Sequence, residues 1–127
     1  MSATFHPAPG PMPFSTAVRA AGLLMLSGQI PFDAAGKPHA GSIEAQTHAV
    51  LQSIASTLQE LDSGLDQVVK TTVWLRDLAD FAAFNAVYRS YFQEGRYPVR
   101  SLVQAELAFG VAVEIEVQAL DTSRAPG

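Results

Sequence analysis

The apolar positions along the chain change period several times, and each change predicts a new element. Residues 16–20 and 23–30 are dense in apolar side chains on either side of Ala21-Gly22, which predicts two strands joined by a turn. The continuous apolar run 23–26 is typical of a strand buried on both faces. Residues 68–75 are rich in β-branched side chains and predict a third strand. Two further strands are expected at about 100–107 and 111–120.

Two segments carry their apolar residues at helical spacing instead. From Ser42 onward, apolar positions recur three, four and seven residues apart, which predicts an amphipathic helix of about five turns. Ser42 is its expected N-cap, and Gly64 lies just past its end. Asp77 is expected to cap a second helix that ends at Gly95. The aromatic residues of this second helix fall on one stripe: Phe81, Phe84, Tyr88 and Tyr91.

The predicted order of elements is β-β-α-β-α-β-β. Two one-sided helices are expected to cover one face of a mixed sheet, giving a single two-layer α+β domain over residues 1–127. Residues 1–13 are rich in proline and are expected to form an extended arm, and the tail 121–127 is expected to be loose. The other face of the sheet is left open. Because only 16% of the residues are charged, this open face predicts an oligomer.

Composition excludes several classes of function. The net charge is -4 and the basic residues are scattered, whereas a nucleic-acid partner requires a basic stripe. The absence of cysteine excludes thiol nucleophiles, and the three histidines lack metal-ligand spacing, so neither a metal nor a cofactor is expected. No apolar run reaches the roughly 20 residues of a membrane span, and the N-terminal residues lack a signal-peptide pattern. We therefore expect a cytoplasmic protein without a membrane partner.

Arg100 is the first candidate for binding a small molecule. Pro98 stiffens the backbone two residues before it, so Arg100 is expected to open a strand on a well-fixed backbone. A guanidinium held in this way can bind a carboxylate or a phosphate through two hydrogen bonds. The alternative is a surface arginine in an ordinary salt bridge.

Two glutamates follow in the last predicted strand. Strand alternation places Glu114 and Glu116 on the face opposite to the valines and the isoleucine of that strand. Because this strand follows the Arg100 strand after a short turn, the two are expected to pair, which brings a glutamate near Arg100. A carboxylate that orients water beside an anchored anion indicates hydrolysis of a small carboxylated substrate. The alternatives are a solvated strand face for the glutamates and, for the hydroxyl of Ser27, a local backbone hydrogen bond.

Motifs over nearly the whole chain resemble the RidA/YjgF/YER057c family, the reactive-intermediate imine and enamine deaminases. The resemblance rests on many short motifs in the same order as in the family. They are Pro-Phe-Ser at 13–15, Leu-Ser-Gly-Gln-Ile-Pro at 26–31, Ile-Glu-Ala-Gln-Thr at 43–47, Val-Lys-Thr-Thr-Val at 69–73, Phe-Asn-Ala-Val-Tyr at 84–88, Pro-Val-Arg-Ser at 98–101 and Val-Glu-Ile-Glu at 113–116.

The resemblance implies a chorismate-mutase-like fold that assembles as a homotrimer with three clefts between subunits. It implies that Arg100 binds the carboxylate of a 2-imino or 2-amino-enoic acid and that Glu114 helps to hold the attacking water. The implied reaction yields a 2-oxo acid and ammonia and needs no metal or cofactor. The other positions that the resemblance places at the cleft are Phe14, Ser27, Gly28, Asn85 and Leu102.

The chain departs from the archetype of the family in three places. Leu102 stands where cysteine is frequent, Phe14 where many members carry tyrosine, and the segment 102–107 is one residue shorter. These departures favour a substrate that is larger or more apolar than 2-iminopropionate. The alternative function is a trimer that binds or senses a small carboxylate without converting it. A ribonuclease or translation inhibitor is disfavoured by the acidic charge and by the lack of a histidine acid/base pair.

Overall fold

The computed structural model describes residues 2–123, which form a six-stranded sheet and two α-helices. The strands are β1 Ala3–Pro7, β2 Ser15–Ala20, β3 Leu23–Leu26, β4 Val68–Leu75, β5 Val99–Gln104 and β6 Val113–Leu120. The helices are α1 Ile43–Glu60 and α2 Phe81–Arg89. The strand order is β1-β2-β3-β6-β4-β5; β4 and β5 are parallel, and the other neighbouring pairs are antiparallel. The predicted two-layer α+β architecture on a mixed sheet is confirmed.

Helix α1 begins where the sequence predicts and covers the centre of the sheet. The Oγ of Ser42 accepts a hydrogen bond from the backbone N–H of Ala45 at 3.1 Å, which satisfies one of the free donors of the first turn. The apolar face of α1 is fully buried: Val50, Leu51, Ile54 and Leu58. It packs against the buried residues of the central strands, so the apolar stripe of the sequence is the core-facing surface of the helix.

The sheet face opposite the helices, called here the open face, keeps substantial apolar surface. In β6 the buried residues Val113 and Ile115 alternate with the half-buried Glu114, so the glutamates lie on the open face. In β5 the same alternation leaves Val99 68% exposed and Val103 49% exposed. This exposed apolar surface is consistent with the oligomer expected from the sequence.

Strands β5 and β6 do not pair with each other, and the sequence-based expectation that they would is wrong. Strand β4 lies between them: Thr71 pairs with Arg100 on one side and with Val117 on the other. The segment 76–98 contains α2 and is long enough to return β5 parallel to β4, as a crossover requires. The connection 105–112 then passes from the sheet edge across β4 to β6 instead of closing a tight hairpin.

The two ends of the domain are more ordered than expected. The proline-rich arm contains an unpredicted strand, β1, which pairs with β2 at the sheet edge, where Pro7 is tolerated. The tail was expected to be loose from Asp121. Instead, Asp121 accepts a hydrogen bond from Arg19 at 2.5 Å, and its backbone N–H donates to the carbonyl of Gly22 at 3.0 Å. Residues 124–127 of the predicted tail lie outside the described residues.

Some element boundaries also differ from the prediction. Strand β3 ends at Leu26 because the chain bends at Ser27-Gly28, and pairing with β6 resumes only at Gln29. Asp77 caps a short 3-10 turn that leads into α2, and α2 ends at Arg89, before Gly95. Within residues 2–123, no helix is both long and apolar enough to cross a membrane.

Candidate functional site

The candidate site residues fall into two groups on different parts of the protomer. The first group lines a depression of about 650 Å³, called here the Glu114 depression. The second lines a cavity of about 210 Å³, called here the Arg100 cavity. The predicted residues in the Glu114 depression are Phe14, Ser27, Gly28 and Glu114, and those in the Arg100 cavity are Asn85 and Arg100. Leu102 lines neither and packs, half-buried, against the core.

Arg100 lies on the aromatic stripe of α2. Its Nη1 donates to the Oδ1 of Asn85 at 2.8 Å, and its guanidinium carbon lies 5.0 Å from the ring centroid of Tyr88 and 5.9 Å from that of Phe84. Parallel pairing of Arg100 with Thr71 fixes its backbone. A planar cation stacked on aromatic rings keeps one orientation, which prepares it for a planar anion.

The guanidinium of Arg100 has no carboxylate partner among residues 2–123. In that part of the chain the ion pair found joins Arg19 and Asp121, and no acidic residue lines the Arg100 cavity. Asn85 occupies one donor, and a guanidinium has five. The expected alternative of an ordinary salt bridge is therefore not what the structure shows. The remaining donors are available to an anionic ligand.

The phenol of Tyr88 completes the floor beneath Arg100. Burial raises its pKa above the ordinary value, while the hydrogen bond with Thr71 and the charge of Arg100 act in the opposite direction. The hydroxyl oxygens of Tyr88 and Thr71 lie 2.8 Å apart. Tyr88 is therefore a neutral, fixed aromatic support at neutral pH rather than an anionic partner of Arg100.

The Glu114 depression is built around the bend after β3. The Ser27 hydroxyl donates to the carbonyl of Ser15 at 2.5 Å, as the local backbone alternative predicted. Two backbone hydrogen bonds between Gln29 and Ile115, of 2.8 and 3.0 Å, hold the bend against β6. A Cβ atom at Gly28 would lie only 2.4 Å from the Oε2 of Glu114. The glycine is therefore what allows the carboxylate to lie over this backbone.

Among the described residues that line the Glu114 depression, Glu114 is the one that carries a charge. Burial, and secondly the charge of Glu116, raise the pKa of Glu114 above the ordinary value. A carboxylate with a raised pKa is a stronger base than a solvated one, so it is better suited to accept a proton from water near neutral pH. The electrostatics of the depression are thus appropriate for general-base chemistry.

Several lining residues are absent from the sequence-based prediction. Phe32 and Phe109 line the Glu114 depression beside Phe14, and Arg89 and Tyr97 line the Arg100 cavity. They occupy loops or the end of a helix, where no periodic pattern singles them out. For Phe32 and Phe109 the one available signal is a bulky aromatic residue in a segment otherwise rich in glycine, proline and alanine.

Within one protomer, Arg100 and Glu114 are far apart and on opposite sides of the sheet. Arg100 faces α2, and Glu114 lies on the open face. Their strands are separated by β4, and their positions differ by three residues along it, since Arg100 pairs with Thr71 and Glu114 with Trp74. Strand geometry puts their Cα atoms roughly 14 Å apart. A single chain therefore does not place both groups on one small substrate.

Known proteins resemble this chain in both sequence and fold. A family model described as Endoribonuclease L-PSP matches residues 6–121. A RutC family protein of Synechocystis is 43% identical over 117 residues, which cover 89% of this chain and 90% of that protein. The mitochondrial protein MMF1 of Saccharomyces cerevisiae is 39% identical over 114 residues, covering 89% and 78% of the two chains.

The solved structures that resemble the fold have similar sequences as well. YyfA of Yersinia pestis, described as a protein of unknown function of the conserved Rid protein family, superposes with a TM-score of 0.85. It is 34% identical, and the match covers 94% of this chain and 99% of that chain. RidA from an Antarctic Psychrobacter gives a TM-score of 0.80 at 34% identity, covering 91% and 93%.

Proposed function

Since this chain belongs to the RidA/YjgF (Rid) family, we propose that it is a hydrolytic deaminase of small 2-imino and 2-enamino carboxylic acids. The reaction adds one water to the C=N bond of the substrate and releases one ammonia and one 2-oxo acid. It requires neither an oxidant nor a reductant. The observation that carries the proposal is the guanidinium of Arg100, which is held on aromatic rings and has no carboxylate partner among residues 2–123.

Positioning of the substrate and one water accounts for the catalysis. Arg100 holds the substrate carboxylate, and Glu114 accepts a proton as the water oxygen bonds to C2. The C=N electron pair moves to nitrogen, which takes the proton held by Glu114 and gives the neutral carbinolamine. The carbinolamine collapses when the C2–N bond breaks: its hydroxyl proton passes through Glu114 to the departing nitrogen, so ammonia and the 2-oxo acid are released and Glu114 is again deprotonated. An enamine substrate first takes a proton at C3 and loses one from nitrogen, which gives the same imine. Such positioning contributes several kcal/mol, on the order of 7 or more in well-oriented systems.

The geometry of the protomer supports a site shared between subunits of a homotrimer. Arg100 and Glu114 lie on opposite sides of the sheet, so a substrate that contacts both must lie between two copies of the chain. The exposed apolar residues of the open face, such as Val99 and Val103, supply surface that such an assembly would bury. The site is incomplete without the second copy.

Mixing two inactive variants tests the activity and the shared site together. Arg100→Ala and Glu114→Gln are each expected to be inactive alone, whereas random co-assembly should restore about a quarter of the sites, which then combine an intact arginine with an intact glutamate. The assay measures 2-oxo acid released from 2-imino acids that an amino-acid oxidase generates in situ, with wild type as the reference.

The matched control is co-assembly of Arg100→Ala with the double variant, which contains no intact arginine and should stay inactive. If recovery is absent although mixed trimers form, the two residues do not act across an interface. A wild-type protein that binds 2-oxo acids but converts no imine would contradict the deaminase and would fit the carboxylate-binding alternative.

The histidines offer no support for ribonuclease chemistry. His6 accepts a hydrogen bond from Arg19 at 3.1 Å, His39 accepts one from the N–H of Gly41 at 2.9 Å, and His48 is 2.7 Å from the hydroxyl of Tyr91. None of them lines the Glu114 depression or the Arg100 cavity. An acid/base pair for RNA cleavage is therefore not brought together within the described part of the protomer.

Acidic pH is expected to slow turnover by protonating Glu114. Burial and the charge of Glu116 raise the pKa of Glu114, and the deprotonated form is the base, so kcat/KM should fall as pH drops through this raised pKa. Glu116→Gln removes the like charge and lowers the pKa of Glu114, which moves the acid limb of the pH profile to lower pH. Glu44→Gln, an exposed change on α1, is the control and should leave the limb in place. If the acid limb of the kcat/KM profile shifted to higher pH in Glu116→Gln, the role of Glu114 as the base would be contradicted.

A further inference from the structure

Phe109 combines two features that its own packing does not explain. Its backbone has φ 60° and ψ 16°, in the left-handed region that side chains with a Cβ atom rarely adopt. Its side chain is nevertheless 76% exposed, so no burial in the protomer compensates for this conformation. Strained residues of this kind are concentrated at positions where the side chain serves a ligand or a partner.

The aromatic ring of Phe109 is one of several exposed apolar groups around Glu114. Met12 is 59% exposed, Phe14 52% and Phe32 50%, and all three line the Glu114 depression together with Phe109. Large apolar side chains grouped in one concave surface with a single charged group are typical of a small-molecule site.

Several polar side chains of the same depression are already hydrogen-bonded within the protein. The Gln29 amide accepts a hydrogen bond from Ser53 at 2.8 Å and donates one to Thr57 at 3.4 Å. The Ser27 hydroxyl donates to a backbone carbonyl. Glu114 and the hydroxyl of Thr16 are therefore the side-chain groups left to meet the polar part of a ligand, and most of the remaining wall surface is apolar.

We propose that Phe109, with Phe14 and Phe32, binds the substrate side chain and makes the protein selective for 2-imino acids with large apolar side chains. This inference rests on the proposed deaminase function. The C2 atom attacked by the water lies at Glu114, so the substituent on C2 extends into the aromatic walls. In the protomer the depression has about 650 Å³, far more than a methyl group needs.

The test compares imines derived from alanine and from phenylalanine in three variants. Phe109→Ala removes the ring but leaves a residue with a Cβ atom at positive φ. Phe109→Gly also removes the ring, and glycine adopts positive φ without strain. Both should lower kcat/KM for the large imine by about tenfold and affect the small imine much less. Phe5→Ala, which changes a 65% exposed phenylalanine on β1 outside the depression, should change neither.

The glycine variant separates selectivity from stability. Glycine adopts positive φ readily, so Phe109→Gly should have a higher Tm than Phe109→Ala, and its loss of activity cannot then be attributed to unfolding. An unchanged ratio of the two kcat/KM values would overturn the inference and leave the deaminase standing. The inference would also be overturned if the Phe109 variants lost kcat/KM equally on both imines and their trimer dissociated in analytical sedimentation. That result would assign Phe109 to a subunit contact. Absence of any turnover by wild type would overturn the proposed function together with this inference.

Discussion

Arg100→Ala is expected to lower kcat/KM for 2-imino acids by about a thousandfold in a protein that stays folded. Two charge-assisted hydrogen bonds to the substrate carboxylate contribute about 4 kcal/mol together, which corresponds to roughly that factor. Folding should tolerate the change, because Arg100 is only half-buried on an edge strand and its hydrogen bond is to the neutral amide of Asn85. Steady-state kinetics and thermal unfolding of the purified variant measure both effects.

Two further variants show whether the loss of kcat/KM comes from the paired N–H donors of the guanidinium or from its positive charge alone. Arg100→Lys keeps the charge but not the planar pair of donors, so most of the loss should remain. Arg96→Ala removes an equal charge from an exposed position shortly before it and should retain wild-type turnover. Wild-type kcat/KM in Arg100→Ala would remove the basis of the proposed function.

Gly28→Ala is expected to lower kcat/KM by about a hundredfold, although it touches no substrate atom. The new Cβ atom would lie 2.4 Å from the Oε2 of Glu114, so the carboxylate must move. A shift of about 1 Å in a catalytic group costs on the order of a hundredfold in rate. The Tm should change little, because the clash involves the far end of a side chain and not the backbone.

Gly64→Ala is the matched control for this effect. Its Cβ atom would lie 2.8 Å from the Oδ1 of Asp66, a similar approach to a carboxylate outside both cavities, so kcat/KM should be unaffected. Combining Gly28→Ala with Glu114→Gln should give no further loss beyond Glu114→Gln alone, since both changes act through one carboxylate. Additive losses would mean that Gly28 serves the site in another way.

Local patterns in the sequence predicted the elements well, because each depends on a few neighbouring residues. The cap at Ser42, the buried stripe of α1 and the in–out alternation around Glu114 all follow from spacing alone. The pairing of β5 was not predicted, because the partner of a strand depends on the path of the connecting segments. The strand in the arm was missed, since proline at an edge position looks the same in sequence as proline in a loop.

The sequence indicated which residues to consider for the candidate site, but not how they are placed relative to one another in the protomer. Gly28 and Glu114 do meet, and Asn85 does hold Arg100, yet the separation of these two pairs follows from the position of β4 in the sheet. Phe109 was not predicted, because a single aromatic residue in a turn has no period. Its significance comes from its φ angle and its exposure, which only three-dimensional coordinates contain.

Strand β4 separates Arg100 from Glu114 within one chain. The proposed activity should therefore depend on protein concentration, because it requires chains to assemble. In the proposed trimer a single chain contains no complete site, so it would have no activity until it meets its partners. Dilution below the dissociation constant of the proposed assembly would therefore abolish the activity. A defective subunit of the proposed trimer would likewise disable the site that it shares with an intact neighbour.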